Sequence, residues 1–191
     1  ASVGSYGSSE VDFPAIEAAY TLKMNALSID FGAGYQSYEV SNGIQTEDVD
    51  SWLVTVGGKL NLGPAYLNAG VYAATNPGNL IAVSVSGDNG WDDGFAADGG
   101  TSIIDNDAVG FNVVAGIKAN DMFSFEMGYA FCRTEFDTAF STSDEVATYY
   151  VQSTVTLAPG VFFVPEIGMF DGDETGDTEI IYYGMKWQIN F

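Results

Sequence analysis

The feature that most limits what this chain can become is alternation. Runs of about nine to twelve residues recur along it, with apolar side chains at every second position and polar or small ones between. In the last run the odd positions read Ile181, Tyr183, Met185, Trp187, Ile189 and Phe191. The even positions read Tyr182, Gly184, Lys186, Gln188 and Asn190. Phe123, Phe125, Met127, Tyr129 and Phe131 alternate with Ser124, Glu126, Gly128, Ala130 and Cys132 in the same way. A period of two sends successive side chains to opposite faces of a strand, so each run has one greasy face and one polar face.

Nine such runs are expected, at about 13–23, 26–38, 51–61, 65–74, 107–118, 122–134, 145–157, 161–170 and 178–191. Their connections alternate in length. Short turns fall at Met24-Asn25, Leu62-Gly63-Pro64, Ala119-Asn120-Asp121 and Ala158-Pro159-Gly160, and long acidic loops fall near 39–50, 75–106, 135–144 and 171–177. Short turns on one side and long loops on the other describe an antiparallel transmembrane β-barrel with its short side in the periplasm. A soluble barrel also alternates, but it hides large apolar side chains and exposes charge. Here the polar face is built of small residues such as Gly32, Gly57, Gly70, Gly110, Gly116, Gly128 and Gly184, which suits the wall of a water-filled lumen.

Composition removes other classes. The 191 residues include no histidine and one cysteine, Cys132, which excludes histidine-based catalysis and an intrachain disulfide. A net charge of -21 excludes a nucleic-acid partner. The chain opens at Ala1 without a basic and then apolar stretch, and reads as a mature chain or a fragment of one.

Most of the 26 acids fall in or beside the long loops. Four acids, Glu17, Asp30, Glu126 and Glu166, and four lysines, Lys23, Lys59, Lys118 and Lys186, fall on the polar strand face and are the lumen and selectivity candidates. The loop acids fit plain solvation or a negative vestibule that enriches cations. Asp171, Asp173, Thr175 and Asp177 carry oxygen ligands at the spacing that opens a calcium loop, with Gly176 at the sixth position but Tyr182 at the twelfth. Calcium there, or at the second acidic cluster of Asp88, Asp92, Asp93 and Asp98, competes with the simpler reading of acidic hairpin loops. No other cofactor is expected.

Antiparallel closure needs an even number of strands. With Phe191 at the periplasmic side, the first run descends, so a strand should precede it. Either residues 1–8 are the remnant of a tenth strand or more of the barrel lies upstream; the second is favoured, because an open edge in lipid leaves backbone groups unsatisfied.

Val113-Val-Ala-Gly-Ile-Lys118, the stretch from Ala119 to Tyr129, Leu157-Ala-Pro-Gly-Val-Phe-Phe-Val-Pro-Glu166 and Tyr183-Gly-Met-Lys-Trp-Gln-Ile-Asn-Phe191 resemble the late hairpins of bacterial outer-membrane homotrimeric general porins. The likeness covers 100–191 in residues and 11–74 in pattern only. It implies a single barrel domain over 1–191 that is the carboxy-terminal part of a barrel of about sixteen strands. It also implies a homotrimer in the bacterial outer membrane, among lipid and lipopolysaccharide, and passive diffusion of small hydrophilic solutes. Tyr183, Trp187, Ile189 and Phe191 then resemble the terminal signal read by the barrel-assembly machinery. The arginine ladder of such porins has no counterpart here beyond scattered lysines. The expected function is a water-filled, cation-leaning channel; the alternative is a structural or interaction barrel whose acidic loops bind a surface partner or divalent cations. Enzymatic activity is not expected. The long segment 75–106, with its apolar start Leu80-Ile-Ala-Val-Ser-Val, is compatible with folding inwards, capping a neighbour or forming a surface hairpin.

Overall fold

The computed structural model describes residues 8–80, 94–99, 102–138, 143–172 and 179–190. Nine strands form one antiparallel sheet: β1 (Ser8–Met24), β2 (Leu27–Ser41), β3 (Thr46–Leu62), β4 (Ala65–Thr75), β7 (Asn106–Lys118), β8 (Phe123–Phe136), β9 (Ser143–Ala158), β10 (Val161–Gly172) and β11 (Ile180–Ile189). A 3-10 turn (Pro77–Asn79) and a two-residue hairpin, β5 (Ala97–Asp98) and β6 (Ile103–Ile104), lie between β4 and β7. Within the large sheet the strands pair in chain order, a meander in which β4 pairs with β7 past the separate β5–β6 hairpin. Among the described residues no helix is long and apolar enough to cross a membrane.

Turn chemistry fixes the short side. Asn25, Gly63 and Gly160 supply the positive φ angles (40°, 72° and 80°) that two-residue connections demand. The first turn is Asn25-Ala26, one residue later than the sequence suggests, because Met24 still pairs with Leu27. Between β7 and β8 the Asn120 side-chain oxygen accepts the backbone N–H groups of Met122 and Phe123 (both 2.9 Å) and closes the bend without glycine.

The greatest departure from expectation is at 39–50. The polar stretch there is strand: β2 and β3 stay in register through Glu39 opposite Asp48 and Ser41 opposite Thr46, and the turn is only residues 42–45. Period-two alternation marks where a strand meets lipid, whereas the backbone ladder continues above the membrane among polar side chains. Asn42 caps this hairpin by accepting from the N–H groups of Ile44 and Gln45.

Pairing carries each face across the sheet. Lys23 faces Ser28, Ser28 faces Lys59, and Lys59 faces Asn68. Gly116 faces Glu126, Glu126 faces Gln152, Gln152 faces Glu166, and Glu166 faces Gly184. The opposite face is aliphatic and aromatic and is exposed in the isolated chain, with Tyr183 at 88% and Met185 at 68%. Aromatic pairs stud it: Tyr129 with Tyr149 (5.0 Å between centroids) midway along β8 and β9, and Phe163 with Trp187 (6.0 Å) toward the short turns. The sheet curls toward its polar face. One cavity of about 670 Å³ is lined by Asp30 of β2, Thr55 of β3, Asn68 of β4, Asn112 of β7, Cys132 of β8 and Thr148 of β9. Those six strands would spread over roughly 24 Å if flat, at about 4.8 Å per gap.

Among the described residues β1 and β11 pair on one side only. Both run toward the short-turn side, so joining them directly would make a parallel pair.

Candidate functional site

The concave polar face is the candidate site, and three features shape it. The first is the segment after β4, which folds inwards. Asn76 is fully buried and left-handed (φ 50°, ψ 46°), a conformation asparagine tolerates better than most residues. Its backbone N–H donates to the Asn106 carbonyl (2.8 Å), and its side-chain oxygen accepts the Asn106 N–H (2.9 Å). Its amide nitrogen donates to the Asp50 carbonyl (2.8 Å) and Asp105 Oδ1 (2.7 Å). Pro77, Gly78 and Gly94 then roof the cavity, and the Gly78 N–H donates to the Gly94 carbonyl (3.0 Å). At the rim Tyr38, Val40 and Val49 close a small apolar core with Ala96, against which Ile103 packs. This answers one of the readings open for 75–106: its described residues lie against the polar face.

The second feature is a belt of tyrosines laid on glycines. Tyr66, Tyr72, Tyr150 and Tyr182 cover Gly116, Gly110, Gly128 and Gly168 of neighbouring strands, so closely that a Cβ on any of these glycines would collide with the ring. Glycine–aromatic pairs of this kind restore side-chain contact where the strand has none. The wall is therefore less bare than its glycine content suggests.

The third feature is what those phenols reach. Glu126 accepts hydrogen bonds from Tyr66 at Oε2 and from Tyr150 (2.8 Å) and Gln152 (2.5 Å) at Oε1. One carboxylate on β8 is thus tied to β4 and β9, and Lys59 Nζ stands 5.2 Å from the Tyr66 ring centroid, over its face. Tyr72 and Cys132 share a hydrogen bond at 2.9 Å.

Glu126 and Glu166 thus come onto one register row, separated by Gln152. Asp30 lies elsewhere on the face and accepts from Thr21 (2.5 Å), and Glu17 sits opposite Gly34. Lys118 turns away to Asp121 (2.7 Å) in the short turn, and that hydrogen bond holds the Asp121 carboxyl below the ordinary aspartate range. Lys23 and Lys186 lie exposed at the short-turn ends of β1 and β11. Tyr183, Trp187 and Ile189 are on the apolar face of β11, and Phe191 lies outside the described residues. Asp171, next to last in β10, faces Ala147, while Asp173, Thr175, Asp177, Asp88, Asp92, Asp93 and residues 81–85 of the apolar run lie outside the described residues. Among the described residues no three Asp, Glu or Cys side chains converge as a metal site would require. Sequence reading missed Tyr66, Tyr72 and Tyr150; the available signal was a tyrosine facing a glycine once neighbouring strands are set in register.

No protein-family model matches the chain, and no curated protein matches it by sequence. Solved structures do, and they define an outer-membrane β-barrel fold. The outer membrane channel DcaP of Acinetobacter baumannii aligns with a TM-score of 0.76 at 17% identity, over 96% of this chain and 53% of that one. A loop L8 deletion mutant of OmpT, an outer membrane protein of Vibrio cholerae, aligns with a TM-score of 0.63 at 18% identity, over 96% and 56%. A trimer form of OmpT aligns with a TM-score of 0.63 at 15% identity, over 96% and 58%. The chain spans a little over half the length of the structures it matches. The expectation that the chain is not an enzyme is corrected here. The similar structures include OmpT, an outer membrane protein of Vibrio cholerae, as well as the channel DcaP, and one barrel scaffold hosts more than one kind of function. Lack of histidine removes histidine chemistry but leaves carboxylate chemistry open, and Glu126 stands amid three donors.

Proposed function

We propose that this chain is the carboxy-terminal part of a bacterial outer-membrane porin that forms a water-filled channel for passive diffusion of small hydrophilic solutes and ions. The observation that carries the reading is the inversion of faces: aromatic and aliphatic side chains cover the outer surface, while charges and an inward-folded segment occupy the concave one. Nine strands over 56% of a similar chain scale, as 9/0.56, to about sixteen in the whole barrel. Antiparallel closure between β1 and β11 needs an odd number of further strands, which agrees with that figure. Residues 1–191 form one barrel domain on this reading, set among lipid and lipopolysaccharide and inserted by the assembly machinery through Tyr183, Trp187, Ile189 and Phe191. A homotrimer is supported by the trimer form of OmpT. The acidic balance, -21 overall, favours cations. Lys23, Lys59, Lys118 and Lys186, with Glu17, Asp30, Glu126 and Glu166, tune that preference along the wall.

Planar-bilayer recording of the full-length protein tests this. Discrete ohmic steps, with a reversal potential of cation sign in a salt gradient, are expected. A silent bilayer overturns the channel and favours a barrel whose acidic loops bind a surface partner or divalent cations. An anion-sign potential overturns the selectivity.

A further inference from the structure

Of the four lysines on the polar face, two are drawn back from the lumen. Lys118 turns to Asp121 in the short turn (2.7 Å). Lys59 is held differently: among the described residues it joins no ion pair, and its Nζ stands 5.2 Å from the Tyr66 ring centroid. The register accounts for the reach. Lys59 faces Asn68 across β3 and β4, and Tyr66 lies two residues from Asn68 on the same face, a diagonal step of about 7–8 Å that a lysine stem spans. Tyr66 in turn faces Gly116 of β7, and Gly116 faces Glu126 of β8. The ring lies so close on Gly116 that a Cβ there would collide with it, and its hydroxyl crosses β7 to donate to Glu126 Oε2. Tyr150 (2.8 Å) and Gln152 (2.5 Å) fix the other carboxylate oxygen. A phenol that donates to a carboxylate gains electron density on its ring, which strengthens the face that holds the ammonium.

We propose that Tyr66 and Gly116, neither of which carries charge, set the ion selectivity of the lumen by clamping Lys59 to the wall, a reading that deepens the channel function and rests on it. An ammonium standing free in a lumen repels cations and draws anions. Laid on a ring whose far end meets a carboxylate, the same ammonium forms a wall dipole with that carboxylate, and a dipole's field falls off faster than that of a lone charge. Cation preference then depends on which charges are withdrawn as well as on how many there are. Gly116 is required because any side chain on it lifts the ring off the wall. Glu126 acts on Lys59 through the phenol and is a positioning residue.

The test is the reversal potential of the full-length protein in a potassium chloride gradient across a planar bilayer. Tyr66→Leu changes no charge, yet it is expected to lower the potassium-to-chloride permeability ratio about two- to fivefold, the factor by which an exposed cation–π contact holds its ammonium. Gly116→Ala is expected to move the ratio in the same direction. In a Lys59→Gln background both shifts should vanish, which a merely structural role of the ring would not produce. An unchanged or raised ratio in Tyr66→Leu overturns the clamp, and so does a shift that persists without Lys59. If Tyr66→Leu fails to fold, judged by its β-sheet circular dichroism, Gly116→Ala decides by the same criteria. Amine-selective labelling of the protein folded in detergent, read by mass spectrometry, needs no pore. Lys59 should react about two- to fivefold faster in Tyr66→Leu, with Lys23 and Lys186 unchanged as references. The two readings then separate: conducting steps without that acceleration sink only the clamp, and a silent wild-type bilayer with it sinks only the channel.

Discussion

Removing the Asn76 side chain should release the inward segment while leaving the nine-stranded sheet intact. Asn76→Gly deletes three side-chain hydrogen bonds, to the Asp50 carbonyl, to Asp105 and from the Asn106 N–H. At about 1 kcal/mol each in a fully buried setting, the loss is about 3 kcal/mol. Asn76→Ala deletes the same bonds and adds about 1 kcal/mol, because a left-handed φ of 50° strains alanine and not glycine. If the segment opens locally, the open population rises about 100-fold in the glycine variant and about 1,000-fold in the alanine variant. The reporters are the Gly78 and Gly99 amides, bonded within the segment to the Gly94 and Ser102 carbonyls and not to Asn76 itself. Hydrogen exchange at these amides should accelerate in that order, with β10 and β11 amides unchanged. Equal exchange in wild type and Asn76→Ala would show that something other than this asparagine holds the segment in.

Gly128→Val should lower thermal stability by about 1–3 kcal/mol of overpacking, and more than Gly184→Val, because Tyr150 covers Gly128 whereas Gly184 has open space; heat-modified gel migration reads the difference. Met127→Lys, on the apolar face, should cost about 2–4 kcal/mol of folding free energy in lipid vesicles, and Ser124→Lys on the polar face close to nothing. Asp121 should titrate below the ordinary aspartate range by NMR and rise toward it in Lys118→Met. The sign is that of a depressed carboxylate: its interaction is present above the unfolded pKa and is lost as pH falls through the folded one. Both partners are largely solvent-exposed, so unfolding midpoints should not move.

The strands that cross lipid were legible because lipid imposes a strict period of two, and β4, β7 and β8 fall within about two residues of their expected bounds. The 39–50 hairpin was not legible, since above the membrane lipid no longer imposes the period, and Val40 and Val49 are buried there by Ala96, a contact that only the folded chain supplies. The eight charged wall residues could be put on one face by parity alone. What each touches could not, because that depends on register between strands: Glu126 meets Tyr66 sixty residues away across two strand interfaces. Asn76 gave no periodic signal at all. Its role follows from a left-handed backbone and four hydrogen bonds that only the folded chain brings together.

The meander has a bearing on how the bore of such a wall could change. Since the strands of the large sheet bond in chain order, a hairpin such as β9 with β10 can be removed or duplicated without crossing any other connection, and strand directions on either side still alternate. Each such step changes the perimeter of a tilted barrel by two strand widths, or its radius by about 2 Å. Bore is then adjusted in whole hairpins, while fine adjustment within one perimeter falls to what is tucked inside it.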